Sequence, residues 1–151
     1  MKLLLLPAII LFVCISPQNN FSQKTSLCDL IGKKVNAVIS QYGKPNHHDK
    51  SNPSMECVFY QSKTSRMAFI ADREGIYQIQ VDYYYNSKND AEKAMNGFMA
   101  DCYAKSMTID TLKINDFRIS THGVKMNLTL FENSYTKKHE IKFKAERSES
   151  K

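Results

Sequence analysis

Tyr77–Tyr85 reads YQIQVDYYY. Ile79, Val81, Tyr83 and Tyr85 share one parity, and Gln78, Gln80, Asp82 and Tyr84 share the other. Successive side chains of a strand point to opposite faces, so this alternation predicts a strand with one apolar and one wet face. Such strands belong to antiparallel sheets that are covered on one side only.

Moving toward the N-terminus, Arg66–Ala71 (RMAFIA) is apolar on both faces, which suggests a central strand, and Met55–Gln61 is rich in Val, Phe and Tyr. The connections SKTS and DREG are short and turn-like, so the three runs form a meander. Asn46 to Ser54 is polar and is read as a loop; it holds His47, His48, Asp49 and Pro53. Before it, Val35, Val38, Ile39 and Tyr42 fall on one helical face. Gly43 stands where a left-handed cap is wanted and Pro45 blocks continuation, giving a short helix over 33–42.

Toward the C-terminus, Ser87 with Asp90 three residues on has capping-box spacing. Ala91, Met95, Phe98 and Cys102 then recur on one helical face, and Gly97 is expected to let that helix approach the sheet closely. Phe117 and Ile119 alternate with Arg118 and Ser120. After a His122-Gly123 turn, Val124, Met126, Leu128 and Leu130 alternate with Lys125, Asn127 and Thr129. Ile141, Phe143 and Ala145 alternate with Lys142 and Lys144. The expected fold class is α+β, in the order α-β-β-β-α-β-β-β: an antiparallel sheet with two helices packed on one face. Val38, Phe69, Val81, Phe98, Leu128 and Phe143 are the expected core.

The first residues bear on compartment. Lys2 is followed by the apolar run Leu3 to Ile15 and then by polar residues, the signal-peptide pattern. The run is shorter than the roughly 20 residues of a membrane span. Cleavage is expected between Ser22 and Gln23; Phe12 and Val13 make a poor lipid-attachment context for Cys14. The expected organisation is a signal peptide over 1–22, a lead-in over 23–30, a single α+β domain over 31–145 and a flexible tail over 146–151. A chain of this size can bury one core. Removing 1–22 takes one Lys and no acid, so 20 Lys+Arg less 15 Asp+Glu leaves +5. The lysines are scattered, as on a solvated surface.

Cys28, Cys57 and Cys102 follow the leader. In an oxidising compartment one disulfide among them is plausible, with any of three pairings and one thiol left over; three buried inert thiols are the alternative. The absence of Cys-x-x-Cys argues against thioredoxin-type redox chemistry.

Leu30-Ile31-Gly32-Lys33, Val38-Ile39 and Tyr42-Gly43-Lys44-Pro45 together resemble the opening of the β-lactamase-inhibitor-like and small outer-membrane-lipoprotein modules. In those families a short helix ends in a Gly-x-Pro turn and leads into a meander. The resemblance implies a non-enzymatic envelope domain that binds another protein. It carries over no functional residue, and this chain departs from the pattern in its longer 46–54 loop.

No sequence motif specifies a reaction, a cofactor or a nucleic acid. Neither Gly-x-Ser-x-Gly nor His-Glu-x-x-His occurs. Adjacent His47 and His48 would point apart in an extended loop, so no metal site is expected. Basic residues interleaved with aromatics, the footprint of nucleic-acid binding, are lacking. The expected role is a periplasmic or secreted non-catalytic binding module for an envelope or extracellular protein or glycan; a membrane surface is a further candidate partner, and no integral span is expected. The candidate binding residues are Tyr84, Gln80, Gln78 and Asp82, an aromatic among amides on the wet face of one strand. The alternative is a small secreted hydrolase or lipid-handling enzyme whose site is formed by distant residues.

Overall fold

Residues 25–148 are described by the structure, a computed structural model. The proposed leader lies outside them. The elements are α1 (Thr25–Cys28), α2 (Val35–Tyr42), β1 (His47–Asn52), β2 (Met55–Gln61), β3 (Ser65–Asp72), β4 (Gly75–Tyr85), α3 (Lys88–Ala104), β5 (Thr108–Lys113), β6 (Asp116–Thr121), β7 (Val124–Glu132) and β8 (His139–Arg147). The fold is α+β around one eight-stranded antiparallel sheet in the order β1-β2-β3-β4-β8-β7-β6-β5. Each longer helix precedes a four-stranded meander, and the two meanders meet at β4 and β8.

Several expectations are corrected. The order α-β-β-β-α-β-β-β lacks a strand in each half. The 46–54 loop contains β1, tied down where Asn46 N–H donates to Phe59 O (2.9 Å) and Gln61 N–H donates to Asn46 Oδ1 (2.7 Å). Thr108–Lys113, given no element from sequence, is β5, paired with β6 through Ile109 opposite Ile119. The 146–151 tail begins inside β8, which runs to Arg147 because that guanidinium pairs with Asp72 and with Glu74 (3.2 Å to the latter). Within the 23–30 lead-in, α1 carries buried Leu27 and Cys28, and Leu30 is buried just after it.

The core lies on one pleat. Val58 stands opposite Phe69, Phe69 opposite Ile79, Ile79 opposite Ala145, Ala145 opposite Met126, and Met126 opposite Ile119. Every member of that row is buried. Cross-strand partners share a face, so one apolar row spans six strands and removes water across the sheet. α3 docks on the same pleat with the Phe98 ring edge-on to Phe143 at 5.5 Å, and α2 docks with the Tyr42 ring 5.5 Å from Phe69. The expected core residues Val38, Phe69, Val81, Phe98, Leu128 and Phe143 are all buried.

Local chemistry sets the helix ends. Ser87 Oγ accepts from Asp90 N–H (3.1 Å) and donates to Asp90 Oδ2 (2.7 Å), so the N-cap side chain is tied to both the backbone and the carboxylate of Asp90. Gly43, at φ 79°, closes α2 by donating to Ile39 O (2.8 Å). Gly97 does not serve close packing: it is exposed, and a Cβ there would meet nothing within 4 Å. The close approach occurs at Gly75 instead. There Gly32 N–H donates to Ile76 O (2.7 Å) and Ile76 N–H to Lys33 O (2.8 Å), stitching the α1–α2 connection to the start of β4. A Cβ on Gly75 would lie 2.5 Å from Gly32 O.

Candidate open sheet face

The candidate residues Gln78, Gln80, Asp82 and Tyr84 occupy alternate positions of β4 and so share the pleat opposite the apolar row. The sheet order decides their neighbours. Gln78 faces Ile70 of β3 and Glu146 of β8; Gln80 faces Ala68 and Lys144; Asp82 faces Arg66 and Lys142; Tyr84 faces Glu140. β4 and β8 are the two central strands of the sheet, so these four side chains sit in the middle of the face.

Gln80 is exposed, and Gln78, Asp82 and Tyr84 are half-buried. Asp82 is held by Arg66, whose Nη2 (2.7 Å) and Nε (3.2 Å) both donate to Oδ2. This fork is a fixed charge pair with geometric specificity. The bond to Asp82 also raises the Arg66 pKa. Partial burial pushes the Tyr84 phenol up; Arg66 opposes that shift while Asp82 and Glu140 add to it. Tyr84 is therefore a neutral hydroxyl at physiological pH, able to donate or accept. Beyond it, buried Glu140 accepts from Asn133 Nδ2 (2.7 Å), and Lys142 Nζ lies 5.2 Å from the centre of the Phe131 ring. Lys144 pairs with Glu146.

Toward β1 the same face turns apolar. Phe59 faces Ala68, and Cys57 faces Ile70, along β2 and β3. Met55 and Phe59 are 38% and 37% exposed, large for apolar side chains outside the core. Tyr77 Oη–H donates to Met55 Sδ (3.6 Å), and the His47 ring lies 5.8 Å from Phe59. Alternation along β2 could have shown Met55, Cys57 and Phe59 on one parity. Their place beside Gln78 and Gln80 depends on the strand order.

The remaining candidate chemistry does not converge. His47 and His48 sit on opposite sides of β1; the His48 Nε2 contacts Glu56 Oε1 at 2.6 Å, and Lys50 Nζ lies 3.2 Å from the same oxygen. Among the described residues, no three His, Cys, Asp or Glu side chains form a group that could hold a metal ion. Cys28, Cys57 and Cys102 are free thiols. Burial raises all three thiol pKa values, to about 12 for Cys28 and about 11 for Cys102, the reverse of what a nucleophilic cysteine needs. A cavity of about 590 Å³ lies beside the end of α3, lined by Cys28, Lys33, Lys105, Met107 and His122 among others. No helix among the described residues is long and apolar enough to cross a membrane.

No protein-family model matches the sequence, and no curated protein matches it. Among solved structures, a cysteine-rich secretory protein from Staphylococcus aureus subsp. aureus Mu50 is similar, with 9% identity and a TM-score of 0.42. An extracellular protein containing a SCP domain from Bacillus anthracis str. Ames gives 14% identity and a TM-score of 0.41. Each match covers 76% of this chain and 44% of the other, so the chain spans less than half the length of these proteins. At such scores the likeness assigns neither family nor function.

Proposed function

We propose that the chain is an exported, non-catalytic binding module, periplasmic or secreted, that recognises a protein or glycan through its open sheet face. In this reading residues 1–22 are removed as a signal peptide, and both longer helices serve only to cover the opposite face. One observation carries it: Gln78, Gln80, Asp82 and Tyr84 line up on the central strand of an eight-stranded sheet, on the pleat away from α2 and α3. A broad sheet face offers fixed side-chain spacing over a large area, which suits a macromolecular partner better than a small reacting molecule. Tyr84 supplies apolar contact with a polar tip, and the Arg66–Asp82 fork and the two amides fix orientation. The likeness of the 30–45 stretch to envelope binding modules points the same way.

The test begins with capture of a partner from envelope extract or extracellular glycan, using the purified protein as bait. Affinity is then titrated with Tyr84→Ala and Gln80→Ala. Tyr84→Ala is expected to weaken binding by at least about 30-fold, the effect of losing a hot-spot side chain of about 2 kcal/mol, with folding little changed. Unchanged affinity in both variants removes the site from this face. Turnover of any substrate by the purified protein overturns the non-enzymatic reading.

A further inference from the structure

The three thiols are not equivalent in place. Cys57 stands opposite Ile70, on the open face, while Cys28 and Cys102 belong to the core cluster on the helix-covered face. The sheet thus separates Cys57 from the other two, which removes two of the three pairings. Cys28 ends α1, and α1 packs on α3, whose last turn holds Cys102. Cys28 also shares a cavity wall with Lys105 and Met107, and Met107 N–H donates to Cys102 O (3.0 Å). The two cysteines therefore flank one corner of the fold, where α1, the end of α3 and β7 meet. The Cys28 thiol lies 2.9 Å from Met126 Sδ of β7. The nearness of the two thiols is felt electrically as well: after burial itself, Cys102 is the largest influence raising the Cys28 thiol pKa.

We propose that Cys28 and Cys102 form a disulfide under oxidising conditions, clamping α1 to the end of α3 and leaving Cys57 reduced. The co-reactant is a small-molecule disulfide such as oxidised glutathione, or a protein disulfide. One cysteine thiolate attacks that disulfide and releases one thiol. The second cysteine, on losing its proton, attacks the mixed disulfide and releases the other thiol. One S–S bond forms in the protein and one is reduced to two S–H groups in the oxidant. Burial disfavours thiolate formation, so exchange in the folded protein is slow at neutral pH and is faster in mildly alkaline solution or during refolding. The proposal needs no binding partner, so it stands or falls apart from the role of the open face.

The full chain carrying Cys14→Ser, refolded with reduced and oxidised glutathione, is denatured, alkylated and peptide-mapped without reduction. The expected map links the peptides holding Cys28 and Cys102 and shows Cys57 alkylated; Cys57→Ser gives the same link. Reduction is expected to lower the melting temperature of the oxidised protein by several degrees, and Cys28→Ser abolishes that difference. Alkylation of both Cys28 and Cys102, a link that includes Cys57, or a stable glutathione adduct on Cys28 or Cys102 overturns the proposal.

Discussion

The halves α2-β1-β2-β3-β4 and α3-β5-β6-β7-β8 share a plan and differ most on the open side of the sheet. Their covered pleats are alike: Val58 and Phe69 in the first half answer Ile119 and Met126 in the second, all buried. Their open pleats diverge. The first half presents Met55, Cys57, Phe59 and Ile70, while the second presents Lys125, Asn127, Thr129 and Arg118. Close packing constrains the covered pleat to apolar shapes that fit. No such constraint acts on the open pleat, so its side chains are free to differ between the halves. The surface is graded: Met55, Cys57, Phe59 and Ile70 make an apolar strip on β2 and β3, and charged or amide-bearing side chains follow from β4 to β7. A single partner reading it would need both textures in register.

The helices differ as well: α2 has eight residues and α3 has seventeen. The packing free energy is expected to be unequal in the same sense. Phe98→Ala, which empties the α3 contact on Phe143, should cost about 3–5 kcal/mol in urea unfolding. Val38→Ala, the matching truncation in α2, should cost about 1.5 kcal/mol from two lost methyl groups. Equal costs would break the asymmetry, and a Phe98→Ala loss below about 1 kcal/mol would mean that α3 contributes little packing. Gly75→Ala tests the stitch to the α1–α2 connection, which the second half lacks. Strain at φ 127° and collision with Gly32 O should together cost about 2–3 kcal/mol by thermal unfolding. Ser87→Ala removes the side-chain cap that α3 has and α2 does not, and should cost about 1 kcal/mol.

The smallest effect concerns the seam between halves, where Asp72 of β3 pairs with Arg147 of β8. Burial alone would raise the Asp72 carboxyl, but the Glu74 N–H, the Arg147 guanidinium and the Gly75 N–H together hold it below the usual range. A depressed folded pKa contributes stability above the unfolded value near ~3.9, and that contribution fades as pH falls through the folded value. Asp72→Asn should flatten the acid limb of the stability curve below about pH 4 and cost less than ~1 kcal/mol at neutral pH, because solvent screens the pair. An unchanged acid limb would show that the seam is not held by this charge.

What the residues announce depends on how much of each element is buried. β4, β7 and β8 alternate because one pleat is in the core and the other in water, and their parity can be read directly. β1 and β5 are the edge strands. HHDKSN has no buried residue, and TIDTLK has only Ile109 packed against the core, so neither alternates. Both misses have this one cause. The candidate site divides likewise. The common parity of Gln78, Gln80, Asp82 and Tyr84 is local and legible. That Arg66 grips Asp82 follows from the register of the β3–β4 hairpin, and that Glu140 and Lys142 stand alongside follows from β8 pairing with β4 across a long stretch of chain, which no local pattern records.

That central pairing also orders events during synthesis. β4 is made before α3 and β5–β7, yet its free edge waits for β8. Until then the N–H and C=O groups along that edge have no strand partner, and Ile79 and Val81 lack Ala145 and Phe143 opposite them. Non-local pairings of this kind form slowly, and exposed edges invite association between chains. The emerging chain therefore passes through a half-built sheet that no early local contact can complete. A chain to be threaded across a membrane before folding gains from that delay, whereas one held half-made at high concentration aggregates through the same edge.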